Sequence, residues 1–264
     1  MQHITSRQNP RLAEARRLAQ SSRERRKAGR CILEGEHLVA VYCDRVGPPE
    51  LLIVADDSAD DPRIAALAAR MPPTATLAVP AALFAEIAAL PVDVGVLAVV
   101  PTPRPVMPAP GRFCVLLDDV QDPGNVGTIL RTAAAAGVEQ VLLSKHCAFA
   151  WSPKVLRAGQ GAHFLTTIVE DVDLAAWGSA YRAGGGHVAA LVARGGTPFH
   201  TAALARPLAL AVGNEGAGLS AAVRAVANVG VTIPMPGGME SLNAAAATAV
   251  VLFECVRREL QQHG

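Results

Sequence analysis

Five prolines fall within eleven residues, Pro101-Thr-Pro-Arg-Pro-Val-Met-Pro-Ala-Pro-Gly111, and nothing else in the chain limits its fold as much. Each proline fixes φ and lacks a backbone N–H, so the run excludes a helix interior and a central strand and favours an extended connector. The sequence therefore divides into a first domain over residues 1–100, a linker over 101–111 and a second domain over 112–264. With 264 residues, 51% of them hydrophobic, there is material for two small cores.

Periodicity gives each part its class. Before the linker, residues 11–20 and 23–27 read as helices. Short apolar runs at 32–34, 51–54, 76–79 and 94–99 read as strands between Ala-rich helical segments, a small α/β domain. After it, apolar runs at 113–117, 141–143, 164–168, 188–192, 208–212 and 229–233 alternate with helical stretches. Continuous apolar strands of this kind imply a parallel sheet covered on both faces. Residues 243–260 predict a long final helix with a buried N-terminal portion and a charged end carrying Glu254, Arg257, Arg258 and Glu259.

The formal net charge of +1 conceals an uneven distribution: between Arg7 and Arg30, nine arginines and lysines stand against two glutamates. Cys31, Cys43, Cys114, Cys147 and Cys255 are odd in number and form no C-x-x-C pair, which argues against a disulfide framework or structural zinc. His37, His146, His163, His187 and His200 lie at no ligand spacing, so no metal is expected. The polar, arginine-bearing start has no apolar signal region. The longest apolar run, 244–253, is too short to span a bilayer. A cytoplasmic protein without a membrane partner is expected.

Three loops carry polar residues where strands hand over to helices. The first is Leu117-Asp-Asp-Val-Gln-Asp-Pro-Gly-Asn125-Val-Gly127, followed by Thr128-Ile-Leu-Arg131. Here Asn125 can cap the helix, Gly127 permits close backbone approach, and Arg131 can lean back toward the loop to clamp a phosphate or carboxylate. The second is Gly213-Asn214-Glu215-Gly216-Ala-Gly218, at the carboxyl end of a buried strand, where open parallel sheets bind ligands. Its G-x-x-G-x-G spacing and its glutamate fit a dinucleotide phosphate loop poorly. The third runs from Ile233-Pro-Met235-Pro through Glu240-Ser241-Leu242-Asn243. Its prolines and glycines make it rigid, Ser241 or Asn243 can cap the final helix, and Ile233, Met235 and Leu242 offer apolar walls. Each loop alone also fits a plain structural role.

Taken in order, N-x-G-x-x-x-R, G-N-E-G-x-G and I-P-M…S-L-N resemble the signature of the SpoU (TrmH-like) RNA 2′-O-ribose methyltransferases of the SPOUT superfamily. The likeness covers residues 115–259. Glu34-Gly-Glu-His-Leu-Val39 further resembles the start of that family's ribosomal-protein-like (L30e-like) substrate-binding module.

The resemblance implies an α/β SPOUT domain with a parallel sheet and a C-terminal trefoil knot, preceded by a smaller α/β RNA-binding domain. It implies S-adenosylmethionine as cofactor, held by Gly213, Asn214, Glu215, Gly218, Ile233, Met235, Ser241, Leu242 and Asn243. It also implies a catalytic set of Asn125, Arg131, Glu215, Ser241 and Asn243, and a homodimer formed partly by the final helix. For an enzyme acting on RNA, the basic N-terminus suits phosphate contact, with Arg7, Arg11, Arg25, Arg26 and Arg131 as the expected cations. Ribosomal RNA is the expected substrate and transfer RNA the alternative. A non-catalytic RNA-binding or assembly factor is the rival from another class, against which Asn125, Arg131 and Asn243 speak. A nicotinamide-dependent oxidoreductase would need a phosphate fingerprint on the first strand, which is absent. A guanidinium is effectively never deprotonated in a protein, so Arg131 is expected to act as an electrostatic anchor and not as a base.

Overall fold

The structure is a computed structural model and describes residues 1–89, 95–105 and 112–263. Residue 94 of the expected fourth strand and residues 106–111 of the expected linker lie outside the described residues. The chain forms two compact units, Met1–Arg104 with Trp151–Phe164, and Pro105–Ala150 with Leu165–Gly264.

The first unit runs β1 (Gln2–His3), α1 (Pro10–Gln20), α2 (Ser22–Ala28), β2 (Arg30–Glu34), α3 (Glu36–Arg45), β3 (Leu51–Ala55), α4 (Pro62–Ala69), β4 (Thr76–Val79), α5 (Ala81–Ile87) and β5 (Val96–Pro101). Asn9 starts α1 by accepting from the Arg11 and Leu12 N–H groups, with Pro10 in the first turn, where its missing donor costs nothing. Leu12, Ala15, Leu18 and Ala19 form the buried stripe of that helix. They pack with Ile53, Leu77 and Leu97 of the sheet, and each buried leucine or isoleucine contributes about 1.5–3 kcal/mol. The sheet order is β1-β4-β3-β5-β2, parallel among β1, β4 and β3, antiparallel where β5 meets β3 and β2. Pro101 fits as the last residue of β5, a position that tolerates a missing donor.

The second unit begins with β6 (Cys114–Asp118), α6 (Pro123–Ala135) and β7 (Gln140–Leu143). The chain then contributes Trp151–Phe164, carrying α7 (Pro153–Gly159), to the first unit. There Phe164 packs edge-on to Tyr42 with ring centroids 5.1 Å apart. Phe164 thus stands outside the observed strand, although a strand was expected over 164–168. The strand begins at Thr167, because a short apolar run does not reveal by itself which core it serves.

The second unit continues with β8 (Thr167–Val169), α8 (Leu174–Ala183), β9 (His187–Leu191), β10 (Thr197–Pro198), β11 (Leu208–Gly213), α9 (Ala221–Ala225), β12 (Val229–Thr232) and α10 (Ala244–His263). Its seven strands are all parallel in the order β10-β12-β9-β11-β6-β7-β8. β6 lies beside β11, with Asp118 opposite Gly213. The loops leaving β6, β9, β11 and β12 consequently emerge at one edge of the sheet, the edge where parallel sheets hold ligands.

Helix α10 corrects one expectation. Its burial follows a stripe along its length, through Ala245, Thr248, Val251, Leu252 and Cys255, and is not concentrated at its start. The opposite stripe leaves Val250, Phe253 and Leu260 exposed, the last at 71%. A 3.6-residue period divides a helix by face, whereas reading it end to end averages the two faces.

Candidate active site

The first loop is set by Asp122, which caps α6 by accepting from the Asn125 N–H at 2.8 Å, with Pro123 in the first turn. Asn125, expected to be the cap, stands instead inside the first turn, buried, with its side-chain amide available to other loops. Asp122-Pro123 was the overlooked signal: an acidic residue directly before a proline at a helix start.

In the second loop, glycine is required at two positions. A Cβ on Gly213 would lie 2.2 Å from the Gly218 carbonyl carbon, and Gly218 has φ +71°. The intervening turn closes on itself. Asn214 exchanges backbone hydrogen bonds with Gly218, and its Oδ1 accepts from the Gly216 and Ala217 N–H groups, both at 2.9 Å. Those donors, which a dinucleotide pyrophosphate would need, are already engaged. The Asn214 Nδ2 donates to the Asp119 carbonyl at 2.9 Å, tying the second loop to the first.

Glu215 makes the second tie. Its carboxylate accepts from the Asn125 Nδ2 at 2.9 Å and from the Gln121 and Asp122 N–H groups at 3.3 and 3.2 Å. Burial pushes this carboxyl up. The hydrogen bonds from Asn125 and from the backbone outweigh that and hold it below the usual carboxylate range.

The third loop joins through Asn243, which caps α10 by accepting from the Ala245 and Ala246 N–H groups and donates its Nδ2 to the Asn125 Oδ1 at 2.8 Å. The result is a continuous chain of hydrogen bonds from the start of α10 through Asn243 and Asn125 to Glu215. Because Glu215 accepts only, every amide orientation in the chain is determined.

Beside this chain is a cavity of about 400 Å³. Gly213, Asn214, Glu215 and Gly218 wall it from the second loop, and Ile233, Met235, Ser241, Leu242 and Asn243 from the third. All nine residues expected around a cofactor thus share one cavity. Leu191, Val192 and Ala193, at and after the end of β9, also line it. Sequence reasoning missed them, although the carboxyl end of any strand in a parallel sheet was a fair place to look. The volume and the mix of apolar walls with backbone and amide groups suit a small molecule with a flat ring and a polar tail.

Of the expected catalytic set, Asn125, Glu215 and Asn243 are hydrogen-bonded together and Ser241 lies on the cavity wall. Arg131 stands apart: it is exposed on α6, outside the cavity lining, with no hydrogen-bond or ion-pair partner among the described residues.

The arginines expected to meet RNA fare unequally. Arg25 is a correction. It is 5% exposed, its Nη1 donates to the Leu18 and Ala19 carbonyls at 2.5 and 3.1 Å, and burial lowers its pKa. It fastens α2 to the end of α1, where a partner could not reach it. Arg7 pairs with Glu86, and Arg11 donates to the Thr74 carbonyl at 2.8 Å. Arg26 is exposed. Arg23 and Lys27 share its helix face at i, i+3 and i+4 spacing, and both are exposed without a partner among the described residues, as is Arg17 on α1. No helix among the described residues is long and apolar enough to cross a membrane, and no group of three or more metal-ligating side chains occurs among them.

The chain is similar to known proteins over most of its length. Residues 112–253 match the SpoU rRNA Methylase family. The chain is 31% identical over 262 residues to the 23S rRNA (guanosine(2553)-2′-O)-methyltransferase RlmP of Bacillus subtilis (strain 168), covering 96% of this chain and 98% of that protein. It is 35% identical over 155 residues to the 23S rRNA (uridine(2479)-2′-O)-methyltransferase of Streptomyces viridochromogenes, covering 55% and 53% respectively. The crystal structure of the SpoU methyltransferase AviRb from Streptomyces viridochromogenes, in complex with AdoMet, has a TM-score of 0.83 at 27% identity, covering 96% of this chain and 99% of that one. A family match over more than half the chain, joined to a relative aligned over almost its whole length, leads to one conclusion: the chain belongs to the SpoU rRNA Methylase family.

Proposed function

We propose that this protein transfers a methyl group from S-adenosylmethionine to a ribose 2′-hydroxyl of ribosomal RNA. The observation that carries the reading is the continuous chain Glu215–Asn125–Asn243 beside a cavity walled by the second and third loops. Similarity over nearly the whole chain to RlmP, named as a 23S rRNA 2′-O-methyltransferase, favours ribosomal over transfer RNA.

Ile233, Met235 and Leu242 would hold the base and methionine tail of the cofactor against apolar surface, with Gly213, Gly218 and the Asn214 loop presenting backbone groups. Bound there, S-adenosylmethionine supplies an electrophilic methyl on a positively charged sulfur. The protein's task is then alignment and exclusion of water, which can lower a barrier by about 7–11 kcal/mol, against about 10²–10⁴-fold for general-base assistance. Glu215 is a brace in this scheme. It already accepts three hydrogen bonds, and these lower its basicity, so it is a weak acceptor for a further proton. Arg131, a cation with no internal partner among the described residues, anchors an RNA phosphate and stabilises negative charge developing on the ribose oxygen.

Residues 1–100 serve as the L30e-like RNA-binding domain in this reading, residues 101–111 as linker and 112–264 as the SPOUT domain. RNA phosphates meet Arg17, Arg23, Arg26 and Lys27 on the outer face of α1 and α2. The trefoil knot is supported by the crossover that sets β12 beyond β9, on the side away from β11. A homodimer through α10 is supported by the exposed stripe of Val250, Phe253 and Leu260. In this reading the enzyme meets its ribosomal RNA substrate in the cytoplasm.

The test is transfer of labelled methyl from S-adenosylmethionine to total RNA of cells lacking the protein, followed by mapping of 2′-O-methyl sites. Label at a single ribosomal RNA nucleotide is the expected result. Label in transfer RNA would replace the substrate, and absence of label from every RNA would overturn the enzymatic reading in favour of an RNA-binding factor.

A further inference from the structure

Immediately after β6 the chain makes an unusual turn. Asp119 has φ +57°, in the left-handed region that side chains other than Asn, Asp and Gly seldom adopt. The residue is half-buried and outside the catalytic set, and two contacts hold it. Its N–H donates to the Ser144 Oγ at 2.9 Å, while the same Oγ donates to the Asp119 Oδ1 at 2.6 Å, a two-bond ring between the ends of β6 and β7. The turn presents the Asp119 carbonyl to the Asn214 Nδ2 at 2.9 Å. Three neighbouring strand ends, those of β7, β6 and β11, are thereby stitched in series.

We propose that Asp119 and Ser144 are positioning residues for the methyl-donor site, acting through Asn214 on the loop that walls the cavity and through the left-handed turn on the Gln121 and Asp122 N–H groups that brace Glu215. The inference rests on the reading of that loop as the cofactor holder. Physically, the ring fixes a strained backbone before the cofactor arrives, so that binding need not order it. If Ser144 releases Asp119, the turn relaxes toward an ordinary φ and the carbonyl leaves Asn214. The Asn214 side chain then loses the anchor that fixes its amide, and with it the geometry of the Gly216 and Ala217 N–H groups it holds.

A substitution series separates this from ordinary loop packing, because its members differ in two independent properties, tolerance of the left-handed region and ability to accept from Ser144. Asp119→Asn keeps both and should bind S-adenosylmethionine within about twofold of the parent. Asp119→Ala loses the acceptor and pays the left-handed cost, for an affinity loss of roughly 5–30-fold, and the β-branched Asp119→Val should lie at or beyond the upper end. Asp119→Gly and Ser144→Ala each cut the ring, and the double variant should be no worse than the weaker single. Calorimetric titration with S-adenosylmethionine reads the affinities. Steady-state methylation should show KM for the cofactor rising while kcat at saturation holds. Parent-like affinity in Asp119→Val, or Asp119→Asn as impaired as Asp119→Ala, or a fall in kcat with KM unchanged, would overturn the proposal. Failure of the parent protein itself to bind S-adenosylmethionine would overturn the underlying reading of the cavity instead.

Discussion

In the corner where the loops after β6, β11 and β12 meet, the principal polar side chains are used by a different loop: Glu215 by Asn125, Asn125 by Asn243, Asn214 by the Asp119 carbonyl. In the basic stretch from Arg7 to Arg30 the opposite holds for much of the charge. Arg7 and Arg16 converge on Glu86, Arg30 on Glu14 and Glu50, and Arg25 on backbone carbonyls, all within their own unit. The first region spends its polarity on holding three loops in register around a cavity. The second spends most of its cations on its own stability and leaves a small outer face for a partner. Spacing of residue types is therefore a good guide to the first region, and density of charge is a poor guide to the second.

The contrast is most exposed to test at Arg131, a cation of the second unit that no internal partner consumes among the described residues. If it anchors phosphate and stabilises developing charge, Arg131→Ala lowers the single-turnover methylation rate by about 10²–10³-fold, the scale of losing one preorganised charge donor. Cofactor affinity should be unaltered, because Arg131 lies outside the cavity lining. An unchanged rate would make Arg131 one more solvated surface arginine and remove the distinction between the two regions.

Next in size is Asn125, the middle link of the chain. Asn125→Ala leaves the Asn243 Nδ2 without its acceptor and Glu215 with one donor fewer. Leaving such groups unsatisfied costs about 1–3 kcal/mol, or roughly 5–150-fold if it appears in S-adenosylmethionine affinity. Asn125→Asp is the sharper variant, since it sets a second carboxylate against Glu215 and should bind more weakly than Asn125→Ala. Cofactor binding indifferent to both would mean that the three loops hold their positions without the chain.

These outcomes bear on how much was legible beforehand. The three loops could be found from residue order alone because glycine, asparagine and proline act locally: the Gly213 position excludes a Cβ on steric grounds, and Asn243 directly precedes the helix it caps. The parallel sheet was legible from continuous apolar runs, which survive small errors in boundary. Asp119 and Ser144 were not legible, since nothing in an Asp-Asp pair marks which member will turn left-handed, and Ser144 becomes its neighbour only when β6 and β7 pair. The fate of Arg25 was equally hidden. A helix of seven residues has an inner and an outer face, and which cation faces inward depends on how α2 packs on α1. Arg131 lay between these cases: its position on α6 was readable, its separation from the cavity was not.

The smallest effect is expected on the outer face of α2, and it decides whether the buried and exposed cations differ in kind. Arg23→Ala with Lys27→Ala removes two exposed charges that have no internal partner among the described residues, so stability should change by less than about 0.5 kcal/mol. If both meet phosphates, the slope of log affinity for RNA against log salt concentration should flatten by about 1–2. Arg25→Ala should do the reverse. It deprives the Leu18 and Ala19 carbonyls of their donor and lowers the urea midpoint by the equivalent of about 1–3 kcal/mol, with the salt slope unchanged. Should Arg25→Ala flatten the slope as much as the Arg23 and Lys27 pair does, α2 must open to meet RNA, and the division between structural and RNA-facing arginines would fail in the region where sequence was least able to draw it.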